Sequence, residues 1–489
     1  MLFTVTIATR GAPWKLEKDK NFSEWFDGLL FSANILDNRY PVKGFSAHRG
    51  WGFRIVKRII QMLEERLEET GHEPVMFPVV IPEDAFAKEA EHIAGFQAEV
   101  FWITHAGDSK LDRRLLLRPT SETAMYPLFA YWIRSHADLP LKVHQSVSIY
   151  RYETKATRPL LRMREFLWNE AHTAHTSSEE AEKQVREGIG IYTEVFKRLG
   201  LSYLLLQRPD FDKFAGAVYS VAFDAWNPDG RVNQIGTVHN LGENFSKVFE
   251  ITYEDVDGNH KNVVQTCYGL GISRTLAAVI AQHGDDHGLV LPPEIAPVQV
   301  VIVPIPYKGL EKEIYAYSRK VFDAIKNAGI RTILDDSEKM QPGEKFYHWE
   351  MFGVPVRVEI GPKDLEAKCV TLSRRDTLKR TTVSFDDLVP SVQTLFEDIM
   401  GNLRAKSQEV LEKSIVDVAD VKALRKAVGG KKIARVNWCE SQECADKIKE
   451  EAGGGEVRGH RYDVEEKPTK PCLICQKPAS RIVYVARAY

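Results

Sequence analysis

Apolar and polar positions along the chain follow the periodicities of helices in some stretches and of strands in others. Residues 50–70 place apolar side chains every three or four positions with charges between them, which predicts a long amphipathic helix. Short β-rich runs predict strands at residues 74–80, 114–118, 141–150 and 247–253. We therefore expect residues 1–290 to form an α+β domain, with an antiparallel sheet flanked by helices.

A proline-rich joint at residues 291–297 separates this region from a more regular one. Beyond it, strands are predicted at 298–304, 331–334, 354–360 and 370–373, and helices at 311–327 and 344–352. This alternation predicts an α/β domain over 291–400 with a largely parallel sheet. A charged helical stretch, about 392–413, then leads into a small α+β unit over 401–489.

Composition fits a globular chain of several domains and narrows its partners. The chain has 489 residues, of which 44% are hydrophobic and 27% charged. Its formal net charge of −2 argues against a sequence-independent nucleic-acid binder, although one domain could still carry a basic face. No run approaches the roughly 20 apolar residues of a membrane span. Residues 1–20 also lack the layout of a signal peptide, so we predict a cytoplasmic protein with no membrane partner.

Four of the six cysteines lie in two close pairs near the carboxyl terminus. Cys439 and Cys444 form the first pair, and Cys472 and Cys475 form the second. Four thiolates in two pairs suit tetrahedral Zn²⁺ in a structural role. A redox pair at Cys472 and Cys475 is the alternative, which the presence of the other pair disfavours.

Three segments of the first region carry the chemistry. They read Arg-Pro-Thr-Ser-Glu at 118–122, Arg-Tyr-Glu at 151–153 followed by Arg162-x-x-x-Phe166-x-x-x-Glu170, and Gly-Leu-Gly-Ile-Ser-Arg at 269–274. Arginine is always charged and offers a planar fork of donors to phosphate oxygens. The chain has no Gly-x-x-x-x-Gly-Lys-Ser/Thr loop, and its Gly-x-Gly pair lacks the third glycine of a dinucleotide site. If ATP binds here, arginines must hold it.

Together these segments resemble motifs 2 and 3 of the class II aminoacyl-tRNA synthetases, and the helix ending near Pro78 resembles motif 1. Further stretches resemble the archaeal and eukaryotic-type prolyl branch of that class. They are Glu-Phe-Leu-Trp-Asn-Glu-Ala-His at 165–172, Lys-Phe-Ala-Gly-Ala at 213–217, Gly-Thr-Val-His-Asn-Leu-Gly-Glu at 236–243 and Val-Pro-Val-Arg-Val-Glu-Ile-Gly-Pro-Lys-Asp at 354–364. The likeness runs almost from end to end of the chain.

The resemblance implies ATP-dependent attachment of L-proline to tRNA(Pro), through prolyl-adenylate with release of pyrophosphate and then AMP. Arg151, Glu153 and Arg274 would be catalytic. The implied proline contacts are Thr120, Glu122, Arg151, Trp168, Glu170, His172, Phe214, His239, Cys267 and Gly269. The implied ATP contacts are Arg151, Glu153, Arg162, Phe166, Gln234, Thr237 and Arg274, with Mg²⁺ on the phosphates.

The resemblance also assigns the other regions. It implies an anticodon-binding domain in which Phe346, Glu350, Arg357 and Lys363 read the tRNA. It implies a homodimer through the motif 1 region, a carboxyl-terminal zinc domain, and a terminal Tyr489 that returns toward the active site. The editing insertion of many bacterial members is absent between motifs 2 and 3. An apolar pocket separates ligands poorly by one methylene, so misactivation of cysteine or alanine is expected. Cys267 stands where a small residue, often serine, is expected.

Other hypotheses remain open from the sequence. Taken singly, Thr120 and Glu122 suit a helix cap, Arg151 and Glu153 suit a surface ion pair, and the histidines suit structural positions. A synthetase-like tRNA-binding protein without catalysis would have lost Arg151, Glu153 or Arg274, and all three are present. A class II ligase for another amino acid, such as threonine or glycine, differs at Thr120, Glu122 and the 168–172 run.

Overall fold

The computed structural model describes residues 17–87 and 100–489. Of the segment 1–20 discussed above, only residues 17–20 therefore lie in the described part. Up to residue 283 the helices are α1 (Phe22–Ser32), α2 (Gly50–Glu69), α3 (Glu83–Ala87), α4 (Glu122–Trp132), α5 (Ser178–Arg198), α6 (Asn244–Phe249) and α7 (Ile272–His283), with a short 3-10 helix at His136–Asp138. The first strands are β1 (Leu36–Asp37), β2 (Ala47–His48), β3 (Glu73–Pro74), β4 (Val80–Pro82), β5 (Phe101–Ala106), β6 (Ser109–Leu117), β7 (Leu141–Tyr150) and β8 (Glu165–His175). They continue as β9 (Leu204–Gln207), β10 (Tyr219–Trp226), β11 (Arg231–Gly242), β12 (Thr252–Glu254), β13 (His260–Asn262) and β14 (Val264–Leu270).

An antiparallel sheet of order β9-β10-β11-β14-β8-β7 forms the centre of this region, which confirms the predicted α+β architecture. Helix α5 packs on one face, where the rings of Tyr192, Phe196 and Phe223 meet edge to face. Gly236 of β11 lets this layer close, since a Cβ there would lie 3.2 Å from the Tyr192 ring. The opposite face is partly covered by α4 and α6 and carries the polar residues described below.

Two predicted strands are wrong in part. Residues 244–249 are helix α6, Glu250 follows in a left-handed conformation with φ of 55°, and the strand begins only at Thr252. Over 74–80 only the two ends pair as strands, because Pro78 cannot donate to a ladder. The backbone N–H of Phe77 instead donates to the Gln145 side chain at 2.9 Å. The helix over 50–70 and the strand over 141–150 are confirmed as α2 and β7.

The second region is an α/β unit. Its strands are β15 (Val300–Pro304), β16 (Thr332–Leu334), β17 (Val356–Ile360), β18 (Cys369–Arg374) and β19 (Arg380–Ser384). Its helices are α8 (Glu311–Asn327), α9 (Pro342–Met351), α10 (Pro362–Ala367) and α11 (Leu388–Ser414). Strands β16, β15 and β17 are parallel, but β18 and β19 are antiparallel, so the expected largely parallel sheet is mixed. The connections before β18 and β19 are shorter than the dozen residues that a parallel crossover needs.

The last region comprises β20 (Ile415–Asp417), α12 (Val421–Gly429), β21 (Ile433–Trp438), α13 (Gln442–Glu451), β22 (Glu456–Arg461) and β23 (Arg481–Ala488). Its sheet continues the central one: β22 pairs with β9, and β23 also pairs in parallel with β11 through Arg231 and Arg487. The chain end therefore lies beside β11. Within residues 17–87 and 100–489, no helix has both the length and the apolar character needed to cross a membrane.

Candidate active site

Strand register brings the predicted residues into two rows on one face of the central sheet. Across β8, β14 and β11, His172 pairs with Cys267 and Cys267 with His239. The next row on that face aligns Glu170, Gly269 and Thr237. Because side chains two positions apart on a strand point to the same face, the two rows form one surface. The glycine in the second row leaves open the space beside the Trp168 ring, whose nearest atom lies 3.5 Å from a Cβ built there.

A buried histidine–carboxylate pair lies at the centre of this surface. His172 Nε2 lies 3.3 Å from Glu170 Oε2, and its Nδ1 is 3.0 Å from the Tyr126 hydroxyl. Burial alone would lower the pKa of His172, but the hydrogen bond to Glu170 and the charges of Glu122 and Glu170 raise it above the usual value. The other carboxylate oxygen of Glu170 accepts from Ser121 and, at 2.8 Å, from Gln145.

The segment before helix α4 adds a second carboxylate. Thr120 donates its hydroxyl hydrogen to Glu122, and both side chains are buried. The Cys267 sulfur lies 3.9 Å from Glu122 Oε1. Ligand atoms of Glu122, His172 and Cys267 all lie within 4.8 Å of one another, so the three side chains converge on one small volume. This volume can hold a cationic amino group.

Aromatic rings form the remaining walls. The Phe214 ring lies 4.9 Å from that of His239, whose Nδ1 is 2.7 Å from the Ser220 hydroxyl. Burial, followed by the charges of Arg208 and His172, lowers the pKa of His239 to about 3, so its imidazole is neutral at pH 7. The indole N–H of Trp168 has no acceptor within the described part of the chain. Such a buried, unpaired donor is unfavourable unless a ligand supplies the acceptor.

Three arginines gather at the neighbouring end of the same face. Arg151 Nε donates to the carbonyl of Pro119 at 3.0 Å, and its guanidinium lies 5.4 Å from the ring centroids of both Phe166 and Trp168. Arg274 Nε donates to the carbonyl of Leu161 at 2.9 Å. Burial, and then repulsion from Arg151 and Arg162, lowers the pKa of Arg274 to about 10. Such a concentration of positive charge suits the oxygens of a polyphosphate.

The acidic and polar residues predicted to contact ATP lie around these arginines. Glu153 pairs with Arg162 at 3.7 Å between Oε2 and Nε. On β11, a bulge between the pairs Phe223–Gly236 and Asp224–Gln234 inserts Ile235 as an extra residue. The bulge shifts the alternation, so that Gln234, Thr237 and His239 are partly exposed while Ile235 is buried. Gln234 thus joins the face that carries Thr237.

Some residues of the site were not among the predicted contacts. Ser121, Tyr126, Gln145 and Arg208 all bond to predicted residues. Ser121 lies inside the Arg-Pro-Thr-Ser-Glu motif, which was a usable signal. The other three bond across 24 residues or more of sequence, and nothing in their local pattern indicated it.

In the second region, three of the four predicted anticodon residues lie together. Arg357 lies over the Phe346 ring at 4.1 Å and donates to Glu350 at 2.8 Å and to Glu359 at 3.0 Å. Arg357 is buried, and its guanidinium already donates to two carboxylates. Lys363 lies apart from this cluster, exposed in the first turn of α10.

The four carboxyl-terminal cysteines converge. Cys439 follows β21, Cys444 lies in α13, and Cys472 and Cys475 flank a tight turn. Their sulfur atoms all lie within 4.8 Å of one another, and the sulfurs of Cys439 and Cys475 are 3.6 Å apart. Tetrahedral zinc with Zn–S bonds of about 2.3 Å requires sulfur separations of about 3.8 Å. The cluster therefore fits that ion.

Residue Tyr489 follows β23 and lies beside the edge of β11. Its backbone N–H donates to the carbonyl of Val232 at 3.3 Å, and its hydroxyl donates to Asp229 at 2.5 Å. Its ring lies 5.3 Å from the guanidinium of Arg158. The chain end is thus fixed two residues from Gln234 in the neighbouring strand.

Family models match all three regions. The tRNA synthetase class II core domain (G, H, P, S and T) matches residues 101–283, an anticodon binding domain matches 299–395, and the prolyl-tRNA synthetase C-terminal model matches 421–489.

Whole-chain relatives agree with these matches. The proline--tRNA ligase of Pyrococcus abyssi is 50% identical over 476 residues, covering 96% of this chain and 98% of the relative. That of Methanopyrus kandleri is 49% identical, covering 96% of both chains. A Giardia lamblia prolyl-tRNA synthetase, solved in complex with prolyl-adenylate, superposes with a TM-score of 0.94 at 34% identity, covering 97% of this chain and all of that one. The chain therefore belongs to the proline--tRNA ligase family of class II aminoacyl-tRNA synthetases.

Proposed function

We propose that this chain attaches L-proline to tRNA(Pro) in two steps. A carboxylate oxygen of proline attacks the α-phosphorus of ATP, the bond to the bridging oxygen breaks, and pyrophosphate leaves. A ribose hydroxyl at the tRNA 3′ end then attacks the carbonyl carbon of prolyl-adenylate, loses its proton, and displaces AMP. The proposal rests on one observation: the pocket around Glu122 and His172 and the arginine cluster lie on the same face of the central sheet.

The pocket of Thr120, Glu122 and His172 accounts for proline recognition. The secondary ammonium of proline has two N–H donors and a positive charge, and Thr120 and Glu122 supply acceptors. Trp168, Phe214 and His239 enclose a small apolar ring, and the neutral His239 adds no charge to that wall. Glu170 and Gly269 shape the floor, and Cys267 borders the carboxylate of Glu122.

The arginine cluster accounts for ATP binding and for catalysis. Arg151 lies between the proline pocket and the other two arginines, where it can neutralise the α-phosphate and orient the substrate carboxylate. Arg162 and Arg274 hold the β- and γ-phosphates, while Phe166, Glu153, Gln234 and Thr237 surround adenosine. Both steps depend on orientation and charge neutralisation more than on proton transfer by a side chain.

Magnesium is proposed to enter with ATP. Mg²⁺ usually keeps several waters and binds through substrate phosphates with one or two carboxylates. The ion would supply further neutralisation of phosphate charge.

The cysteine cluster is proposed to hold one structural Zn²⁺. The convergence of Cys439, Cys444, Cys472 and Cys475 supports this, since four thiolates leave no position open for a substrate. Metal analysis of the purified chain is expected to give about one zinc per chain. Cys475→Ser is expected to lose the metal, and unchanged zinc content in that variant would contradict the site.

We also propose domain limits of 1–290, 291–400 and 401–489, of which the second falls within helix α11, the helix that connects the last two regions. We further propose that the middle domain binds the anticodon of tRNA(Pro) and that the protein acts in the cytoplasm. The three family matches fall within these limits.

A homodimer through the motif 1 region is supported by an exposed apolar patch. Its members are Met76, Val79, Val80, Leu128, Tyr131 and Trp132.

The amino-acid dependence of ATP–pyrophosphate exchange tests the proposal. Proline is expected to give the highest rate, with weaker exchange from alanine and cysteine, because an apolar pocket discriminates a methylene by only about 10- to 200-fold. Exchange with threonine or glycine but not with proline would contradict it. Arg151→Ala is expected to abolish exchange, whereas Arg186→Ala, an exposed arginine on α5, is expected to leave the rate unchanged.

A further inference from the structure

A buried charge cluster joins the carboxyl-terminal region to the predicted ATP site. Asp224 of β10 is fully buried and lies between two arginines. Arg208, which follows β9, donates to both its carboxylate oxygens at 2.9 and 2.6 Å. Arg458 of β22 donates to the same carboxylate at 3.0 Å, although 234 residues separate it from Asp224.

The backbone of β22 is shaped to deliver Arg458 to this cluster. Gly459 has φ of 126°, and a Cβ there would collide with the carbonyl oxygen of Gln207. Only glycine therefore lets β22 approach β9 so closely. A bulge lies between Val457 and Gly459, and the carbonyl of Arg458 itself accepts from Arg208.

The cluster extends to a residue predicted to contact ATP. The second terminal nitrogen of Arg208 donates to Gln234 Oε1 at 2.8 Å. Because arginine has donors only, it fixes the amide oxygen of Gln234 toward itself. The amide nitrogen of Gln234 then remains for a ligand on the exposed face of β11.

We propose that Arg458 is a positioning residue for ATP: through Asp224 and Arg208 it orients the Gln234 amide, so the carboxyl-terminal region completes the nucleotide side of the active site. Arg208 alone could swing between Asp224 and other acceptors. Arg458 limits this movement, because its Nε shares Asp224 Oδ2 with Arg208 and its own backbone carbonyl accepts from Arg208. Asp212 and Glu456, 3.9 and 3.6 Å from Arg458, lie at the exposed rim of the cluster. This inference rests on the function proposed above.

The test compares the KM for ATP with the KM for proline in ATP–pyrophosphate exchange by the full chain. Arg458→Met is expected to raise the KM for ATP about three- to tenfold, the range for residues coupled through one network, and to leave the KM for proline within about twofold. The matched control is Arg461→Met on the same strand, whose guanidinium pairs with the partly exposed Asp463; neither KM is expected to change. Arg458→Lys, which keeps the charge beside Asp224, is expected to recover part of the loss.

A double-variant cycle separates positioning from general stabilisation. In a Gln234→Ala background, Arg458→Met is expected to change the KM for ATP no further, because the group it orients is gone. Additive effects in the double variant, an unchanged KM for ATP in Arg458→Met, or equal rises in both KM values would each overturn the inference. If Arg458→Met does not fold, Arg458→Lys serves in the same cycle, with an expected rise of about twofold. Absence of proline-dependent exchange in the unaltered chain would instead contradict the proposed function.

Discussion

At the scale of single residues, the site depends on two buried carboxylates, those of Glu122 and Glu170. Glu122 accepts a hydrogen bond from the Thr120 hydroxyl, and Glu170 accepts one from the Ser121 hydroxyl. His172, whose pKa these carboxylates raise, lies between them. A ligand ammonium therefore meets a pocket whose charges are already oriented, which reduces the reorganisation that binding requires.

Replacing Glu122 with glutamine tests this arrangement. Glu122→Gln removes the negative charge but keeps the size, so the charge-assisted contact with the proline ammonium is lost. Hydrogen bonds to charged groups contribute about 1.5–3 kcal/mol, so the KM for proline is expected to rise about 10- to 100-fold in ATP–pyrophosphate exchange. The KM for ATP is expected to stay unchanged. Glu179→Gln, an exposed glutamate on α5, is the control, and an unaltered KM for proline in Glu122→Gln would contradict the role.

At the scale of elements, helix α7 couples the site to the packing of the domains. It begins at Ile272, directly after the Gly269–Gly271 segment, and carries Arg274 in its first turn. At its other end His283 Nε2 donates to the carbonyl of Leu199 at 2.8 Å, and the imidazole lies against Gly200 near Leu403 of α11. Burial lowers the pKa of His283 to about 4.

This histidine predicts a pH dependence of stability. Unfolded histidine has a pKa near about 6.5. Because the folded value is lower, the stability is complete above about pH 6.5 and is lost as the pH falls toward 4. At pH 5 the loss from His283 amounts to about 2 kcal/mol. His283→Gln keeps a donor without titrating, so its Tm is expected to fall less between pH 7 and pH 5. The exposed His260→Gln is the control, and identical slopes for all three chains would contradict the prediction.

Substitutions in the anticodon-binding domain are expected to weaken tRNA binding without changing amino-acid activation. Glu350→Gln weakens the contact with Arg357, and Lys363→Ala removes an exposed positive charge at α10. Each is expected to raise the KM for tRNA in aminoacylation by about 10-fold, from a loss of about 1–3 kcal/mol per base contact. ATP–pyrophosphate exchange without tRNA is expected to stay normal. Lys326→Ala at the end of α8 is the control, and a parallel loss of exchange would refute the assignment.

At the scale of the whole molecule, the exposed apolar patch supports the proposed dimer. Met76 is 86% and Tyr131 71% exposed. Exposed apolar side chains on neighbouring elements commonly mark an interaction surface. The patch joins the segment between β3 and β4 to α4, where the Phe77 and Trp132 rings lie 5.6 Å apart. A dimer through this patch would place the Thr120–Glu122 segment close behind the interface.

Charge in the patch is expected to separate the subunits. Tyr131→Glu places a carboxylate in the proposed interface, where burial is unfavourable. Sedimentation velocity is expected to show a dimer for the unaltered chain and a shift toward monomer for this variant. Tyr307→Glu alters another exposed tyrosine, on the anticodon domain, and is expected to remain dimeric. A monomeric unaltered chain would contradict the proposal.

The sequence by itself determined the family, the long helix α2 and the strand β7, and it predicted most of the residues that the structure brings together, because each motif is local and its residue types carry the chemistry. It also paired the four cysteines by spacing alone. The strand predicted over residues 247–253 is wrong in part, because a short apolar segment of that length suits a helix or a strand equally.

Only the tertiary structure decided which motifs share a face. Register aligned His172, Cys267 and His239, and a bulge at Ile235 turned Gln234 toward Thr237. Only the fold also joined β22 to β9 and placed Arg458 on Asp224. Strand pairing and buried ion pairs bring together residues far apart in the chain, and their free energy depends on the packed environment. No local pattern encodes them, and none indicated that the sheet of the carboxyl-terminal region continues the central sheet.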